Sequence, residues 1–417
     1  MRIATSQIYN QSVQTMDNQQ AQLAQLSQEL SSGTALNTPA DNPIGAAQAV
    51  TLSVASATLT QYTTNQSSAQ SALQLEGSTL GSVTSVMQSV KSLMIQANNG
   101  SLSDTDRNAI AQEMQSYRNQ LLALANTTNG SGNAIFSGFQ STTQPFTNLP
   151  GGGVSYNGDT GQQLAQVSGS RQIQTNDSGQ SVFMSVPTTG TTPVAAGASG
   201  NTGTGTISPV TLSNPAIATN NDSYTIQFAG TAAAPTYSVT DNTTVPPTVI
   251  TPPTAYAATS GSTLTLNLGA GMSTTISGTP NSGDQFTVTP ATSQVNSSVF
   301  ATLDSVITAL KTPTAGNASA LANLTNVLTA GQSALQNSQT NVSMVQASVG
   351  GRGQELTALQ TLTSTSTLQT QTSLSAVTST NVAATISQFE QLQTSLSAAQ
   401  KSFVQIQQMS LFQYVNP

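Results

Sequence analysis

Apolar residues recur at seven-residue intervals towards both ends of this chain, and small polar residues fill most of the space between. Tyr9, Met16, Leu23 and Leu30 make the first row, with Leu26 in a neighbouring position. That spacing draws an apolar seam along a helix. Gly33 suits a stop, because glycine accepts the left-handed conformation just past a helix end. Turn formers gather in GTALNTPADNPIG (33–45). There Asn42 can cap a new helix, and Pro43 can take its first position, where no amide donor is needed. Gly33, Pro39, Asp41, Asn42 and Pro43 are therefore the candidate residues of an inter-domain joint.

Leu52, Leu59, Gln66, Leu73, Leu80, Met87 and Met94 then follow at strict steps of seven, with Ala55, Tyr62, Ala69, Glu76, Val83, Val90 and Ala97 alongside. Two parallel rows of this length predict one helix from Pro43 to Ala97, roughly 80 Å long at about 1.5 Å per residue. NNGSLSD breaks it, and Ser103 with Asp106 resembles a capping box. Ile110, Met114, Tyr117, Leu121, Leu124 and Thr128 continue as a shorter amphipathic helix.

Beyond Gly130 the pattern changes to glycine, proline, threonine and short alternating runs, and VSYNG, RQIQTN and SVFMSV read as strands. From 187 to 296 the strand candidates are SYTIQF, TYSVT, STLTLNL and DQFTVT, which predicts an inserted β domain. TTVPPTVITPPT within it is a loop or an edge, since proline cannot pair in a central strand. Helix returns near Val299, where Leu321, Leu328, Leu335, Val342 and Val349 are again seven apart until VGGRG interrupts. Val382, Phe389, Leu396 and Phe403 form the last row, with Leu392, Ala399 and Ile406 beside it.

The predicted fold is mainly α with an inserted β region: a long antiparallel helical rod of coiled-coil type with paired N- and C-terminal helices. Its domains are 1–33 with 380–417, a terminal assembly domain; 34–186 with 297–379, a helical rod with a β-hairpin region at 150–186; and the insert, 187–296.

Composition sharpens this picture mainly by exclusion. Charged residues make up 6% of the chain and aromatic residues 4%. Such a mixture could mean disorder, but disorder would not preserve a regular apolar period. A net charge of −7, with eight scattered Lys and Arg, argues against nucleic acid as a partner. There is no cysteine, hence no disulfide or thiolate metal site. No apolar run reaches the length of a bilayer span. The start, MRIATSQIYNQSVQ, lacks the apolar core of a cleaved signal peptide, which predicts a soluble protein, cytoplasmic or exported by another route.

Histidine is absent, which removes Ser-His-Asp and Cys-His arrangements and the HExxH zinc motif. Asp104 and Asp106 are the closest carboxylate pair, and their place at a helix start explains them better than acid–base work. No phosphate-binding loop occurs, and neither an enzyme nor a cofactor is expected. Met87 and Met94 could line an adaptable partner groove, yet their heptad positions favour core packing. Asp41 either is solvated or hydrogen-bonds backbone amides and fixes the bend, and local chemistry leaves both open.

A helix with so narrow a stripe is marginal alone in water. The helices 1–32 and 380–417 can cover one another through Tyr9, Met16, Leu23, Leu30, Val382, Phe389, Leu392, Leu396, Phe403 and Ile406, the candidate assembly seam. A residual stripe is left for neighbouring subunits, so folding coupled to assembly is expected.

Several segments resemble a known family. SSGTALNTPADNPIGAAQA is similar to the flagellin-family segment joining the terminal helices to the next domain, and LMIQANNGSLSDTDRNAIAQEM to the turn that follows it. IFSGFQSTTQPF (135–146), VSYNGDTGQ (154–162), NDSGQSVF (176–183), SGDQFTVTP (282–290) and the ending AAQKSFVQIQQMSLFQYVNP resemble the hook–filament junction branch of that family.

The resemblance implies a structural protein, exported by the flagellar type III apparatus with a cytoplasmic chaperone at its C-terminal helix. It would form a ring of its own subunits, meeting the first hook-associated protein on the hook side and flagellin on the filament side, with no nucleic acid or membrane partner and no cofactor. The alternatives are a flagellin that builds the filament itself, or a secreted adhesin or effector acting through the β insert. An acidic residue at the joint is also implied, which makes Asp41 a turn stabiliser. Where flagellins carry a receptor-recognised arginine, this chain has Ser89, which implies a poor receptor agonist.

Overall fold

The computed structural model describes the chain except residues 1, 151, 188–189, 215–221, 232, 258–260, 270, 292–297 and 416–417, and the side chains of 2–6, 8 and 406–415. Six α-helices carry the apolar rows: α1 (Arg2–Ser32), α2 (Pro43–Ala97), α3 (Asp104–Ala125), α4 (Val299–Lys311), α5 (Ala318–Thr378) and α6 (Val382–Val415). Two compact units result, one of residues 1–65 with 358–417 and one of residues 66–357. Among the described residues no helix is long and apolar enough to cross a membrane.

In the second unit the seven-residue rows become a core. Leu73, Leu80, Met87 and Met94 of α2 are buried, as are Ala69, Val83, Val90 and Ala97 of the neighbouring row. Leu328, Leu335, Val342 and Val349 on α5 are buried too. A Cβ placed on Gly77 would stand 3.7 Å from Val349, and one on Gly331 would stand 3.6 Å from Met94. Lys91 Nζ donates to Gln336 Oε1 between these points. The matched pairs run in opposite chain directions, so this stretch of α2 lies antiparallel to this stretch of α5.

Three local expectations are corrected. VGGRG does not interrupt α5, which runs unbroken through residues 349–353. Val349 and Leu356 continue the buried row across it, and each such burial contributes roughly 1.5–3 kcal/mol. That outweighs the glycines, each of which costs about 1 kcal/mol in a helix. SVFMSV is not a strand, because Gln180–Met184 forms a π-helical turn. Val182 and Phe183 are both buried, and successive side chains of a strand would point to opposite faces. Thr128 lies beyond the end of α3, where Asn126 is the C-cap, and bridges instead to Ala134.

Two short hairpins follow α3. In one, β1 (Phe146–Asn148) pairs with β2 (Val154–Tyr156); in the other, β3 (Leu164–Ser168) pairs with β4 (Arg171–Gln174). Phe136, Phe146, Phe183 and Phe300 pack into one aromatic cluster, with Phe136–Phe183 and Phe146–Phe183 edge-to-face at 5.3 and 5.5 Å. Such geometry adds about 0.5–1.5 kcal/mol per pair beyond the area buried.

Among its described residues the inserted region holds nine strands: β5 (Val194–Gly197), β6 (Thr206–Ile207), β7 (Thr211–Leu212), β8 (Tyr224–Thr231), β9 (Ala234–Asp241), β10 (Thr248–Ala255), β11 (Thr263–Asn267), β12 (Met272–Ser277) and β13 (Gln285–Thr289). One sheet runs β10-β9-β8-β13-β5; the other runs β11-β12-β6, with β7 also on β12. Alternate residues Tyr224, Ile226, Phe228, Phe286 and Val288 of the first sheet share a core with Leu266, Met272 and Ile276 of the second. β10, which carries Pro252 and Pro253, is an edge strand with two register shifts.

Candidate assembly site and its joint

At residues 33–43 the backbone is held by its own side chains. Gly33 has φ +71° and donates to Glu29 O at 2.8 Å, which closes α1 in a conformation disfavoured for residues with a Cβ. Asp41 Oδ2 accepts from Thr38 N at 2.8 Å and Asn37 N at 3.2 Å. The Thr38 amide, foremost among these bonds, holds the exposed Asp41 carboxyl below its ordinary value. Asn42 Oδ1 accepts from Gly45 N at 2.9 Å, capping α2, whose first residue is Pro43. Pro39 lies in the turn between. The joint also meets the α5–α6 junction: Ala35 N donates to Thr378 O, Thr380 N donates to Gly33 O, and Thr34 bridges to Ser379.

The seam residues of α1 and α6 come only part way out of water. Met16, Leu23, Leu30, Phe389, Leu392, Leu396 and Phe403 are half-buried, while Tyr9 and Val382 remain 47% and 49% exposed. The Tyr9 and Phe403 rings meet with centroids 5.0 Å apart. Leu26 and Leu392 line a groove of about 400 Å³ bordered by Gln19, Gln22, Gln25 and Gln388. The Ile406 side chain lies outside the described residues. Ile386 and Val404, not counted in the seam, add 40% and 50% exposed apolar surface on α6. None of the described seam side chains therefore reaches full burial within one chain.

Polar pins in the second unit escaped the sequence reading. Arg118 is 4% exposed and holds Asp304 by two bonds, at 2.8 and 3.0 Å, while also donating to Asn148 and to Gly153 O. Asp104 Oδ1 accepts from Thr314 N at 3.1 Å and Thr314 Oγ1 at 2.9 Å, tying the start of α3 to the turn before α5. Ser103 and Asp106, by contrast, cap α3 reciprocally as the sequence led one to expect. Each of the four arginines with a described side chain makes an ion pair, that of Arg107 within α3 and the other three between separate elements.

A second set of pins is a row of asparagines on α5. Asn323 donates to Asn201 O, and Asn326 accepts from Ile207 N and donates to Gly205 O. Asn337 takes both polar groups of Thr192, and Asn341 donates to the carbonyls of Ser181, Val182 and Ser185. Their helical spacing was the available signal. It was overlooked because asparagine in a helix usually faces water.

These features define the class: a helical protein with its two ends in one unit and a β insert in the other. The family model for the bacterial flagellin N-terminal helical region matches residues 3–141. Flagellar hook-associated protein 3 of Escherichia coli is 29% identical over 99% of both chains. That of Salmonella typhimurium is 37% identical over 45% of this chain and 58% of its own length. The crystal structure of the flagellar junction protein FlgL from Legionella pneumophila superimposes with a TM-score of 0.65 at 27% identity, covering 79% of this chain and 99% of its own. Flagellin matches are shorter, the one from Listeria monocytogenes covering 26% of this chain at 34% identity. Over its full length the chain is similar to flagellar hook-associated protein 3.

Proposed function

We propose that this protein is the adaptor between hook and filament of a bacterial flagellum, a structural part with no enzymatic step and no cofactor. The observation that carries it is the incomplete burial of the α1 and α6 seam in a chain whose full-length relative is a hook-associated protein. Half-buried leucines and phenylalanines are stabilised further when a neighbouring subunit covers them, so the terminal helices order fully on joining the lattice. In this reading 1–33 and 380–417 pair as the assembly domain, and 34–186 with 297–379 form a coiled-coil rod. The insert, 187–296, faces outward, and Gly33, Pro39, Asp41, Asn42 and Pro43 form the joint that links the first two.

The partners are further copies in a ring, the first hook-associated protein on one side, flagellin on the other, and an export chaperone for the C-terminal helix. The site of action is extracellular, reached through the flagellar export apparatus. Flagellin itself is the second reading, disfavoured by the short flagellin matches.

Gene deletion followed by electron microscopy and assay of the culture fluid tests this. Hooks without filaments, with flagellin monomer leaking into the medium, are expected. Normal filaments and motility would overturn it. Short filaments without leakage would favour the flagellin reading.

A further inference from the structure

Glu76 sits on the buried row of α2 and is 1% exposed. Its Oε1 accepts the Asp177 amide at 2.9 Å, whereas its Oε2 has no hydrogen-bond partner. Asp177 in turn pairs with Arg352 of α5, whose guanidinium also donates to Gln174 O at 3.2 Å. One guanidinium thus serves two carboxylates. Those are the charged groups that face Glu76: Asp177 from the turn after β4, and Arg352 from α5. The next pair along, Arg171 with Glu355, satisfies itself through two bonds and stands in solvent. A cavity of about 330 Å³ reaches Glu76 and is lined by Ser68, Ser71, Asn129, Gln163 and Asn176, which are polar and uncharged. It gives protons a route to an otherwise enclosed carboxyl.

We propose that Glu76 is a proton-operated latch: protonated, it fastens residues 174–179 to α2 and α5, and ionised, it releases them. A neutral carboxyl here can donate its O–H to the Asp177 carboxylate. An ionised one leaves a desolvated negative charge beside a second carboxylate, with only a shared guanidinium to offset both.

Burial first, and then the Asp177 charge, pushes the Glu76 carboxyl up to about 8 from 4.5. The released segment hydrates Glu76 and returns it to the ordinary value, so closing the latch takes up a proton. The contribution is therefore complete below pH 4.5, is lost progressively as pH rises towards 8, and does not change further above that. Within this window the closing equilibrium falls about tenfold per pH unit.

The test is amide exchange on the full-length chain between pH 5.5 and 9, corrected for the intrinsic rate, read at Asp177 and Gly179. Protection should fall roughly tenfold per unit to about pH 7.5 and level out beyond pH 8. Glu76→Gln keeps an acceptor for the Asp177 amide but cannot ionise, so its protection should be flat. A flat wild type, or a variant with the wild-type slope, overturns the latch. Carboxyl carbon titration of wild-type Glu76 decides the matter even if the variant does not fold: a midpoint near 8 supports the proposal, and one below 6 overturns it.

Discussion

Asn337 binds Thr192 by both of its backbone groups, accepting from the Thr192 amide at 2.9 Å and donating to the Thr192 carbonyl at 2.8 Å. One side chain thus does for this residue what a neighbouring strand would do. With Asn323, Asn326 and Asn341 on the same face of α5, it lashes the irregular segment 181–207 along the helix in antiparallel sense. Between the π-helical turn and β5 its described residues form no helix or strand, so their buried polar groups depend on these amides.

Replacing Asn337 by leucine should accordingly cost about 1–3 kcal/mol, the penalty of leaving a buried donor and acceptor unpaired. The loss should fall locally, as faster amide exchange at Thr192 and in β5, with α2 protection unchanged. Asn337→Asp keeps the acceptor only and should lie between. Equal exchange in all three proteins would show that the asparagine row is incidental.

Arg118 makes a stronger case for dependence on one residue. Its guanidinium and the Gly153 amide both bind Asp304, so removing it strands a carboxylate among packed elements. Arg118→Ala should destabilise the second unit by about 1–3 kcal/mol, less than a fully buried pair would lose because the Asp304 carboxylate is partly exposed. Arg118→Lys should recover only part of this, because an ammonium cannot reproduce the two-bond geometry. Urea unfolding followed at the Phe146–Phe183 cluster would measure both, and a midpoint unchanged by Arg118→Ala would refute the assignment.

These pins explain what could and could not be foreseen. The buried rows of α2 were legible because a seven-residue period survives whatever the chain later packs against. Gln66 and Glu76 were legible as seam positions too, yet their chemistry was not. Glu76 meets an amide 101 residues away, and no local pattern encodes that. SVFMSV misled because alternation over four residues also fits a helical turn, and the choice was made by aromatic packing around Phe183. VGGRG misled because glycine weakens a helix without ending it when the flanking residues are buried.

The joint yields a pH prediction. The Thr38 and Asn37 amides favour the ionised Asp41 carboxylate, so its folded value lies below 3.8. The stabilisation is present above 3.8 and is lost as pH falls through the lower, folded value. Carboxyl carbon titration should therefore place the Asp41 midpoint below 3.8. Protection of the Thr38 amide should collapse at the same pH, and Asp41→Asn should abolish that coupling. A midpoint at or above the ordinary value would mean the carboxylate is merely solvated.

The terminal seam separates folding from assembly. Leu26 and Leu392 border the same groove and are each half-buried, so polar replacements forfeit only part of the roughly 1.5–3 kcal/mol that full burial brings. Leu26→Asn combined with Leu392→Asn should leave the second unit intact, with its unfolding midpoint unchanged and a circular dichroism spectrum close to wild type. On the proposal that a neighbouring subunit covers these positions in the lattice, the substitution would strand two amides in an apolar contact repeated in every subunit. Cells relying on the double variant should bear hooks but few filaments, with export of the variant itself undiminished. Filaments of normal number and length would show that the seam is not what holds the ring together.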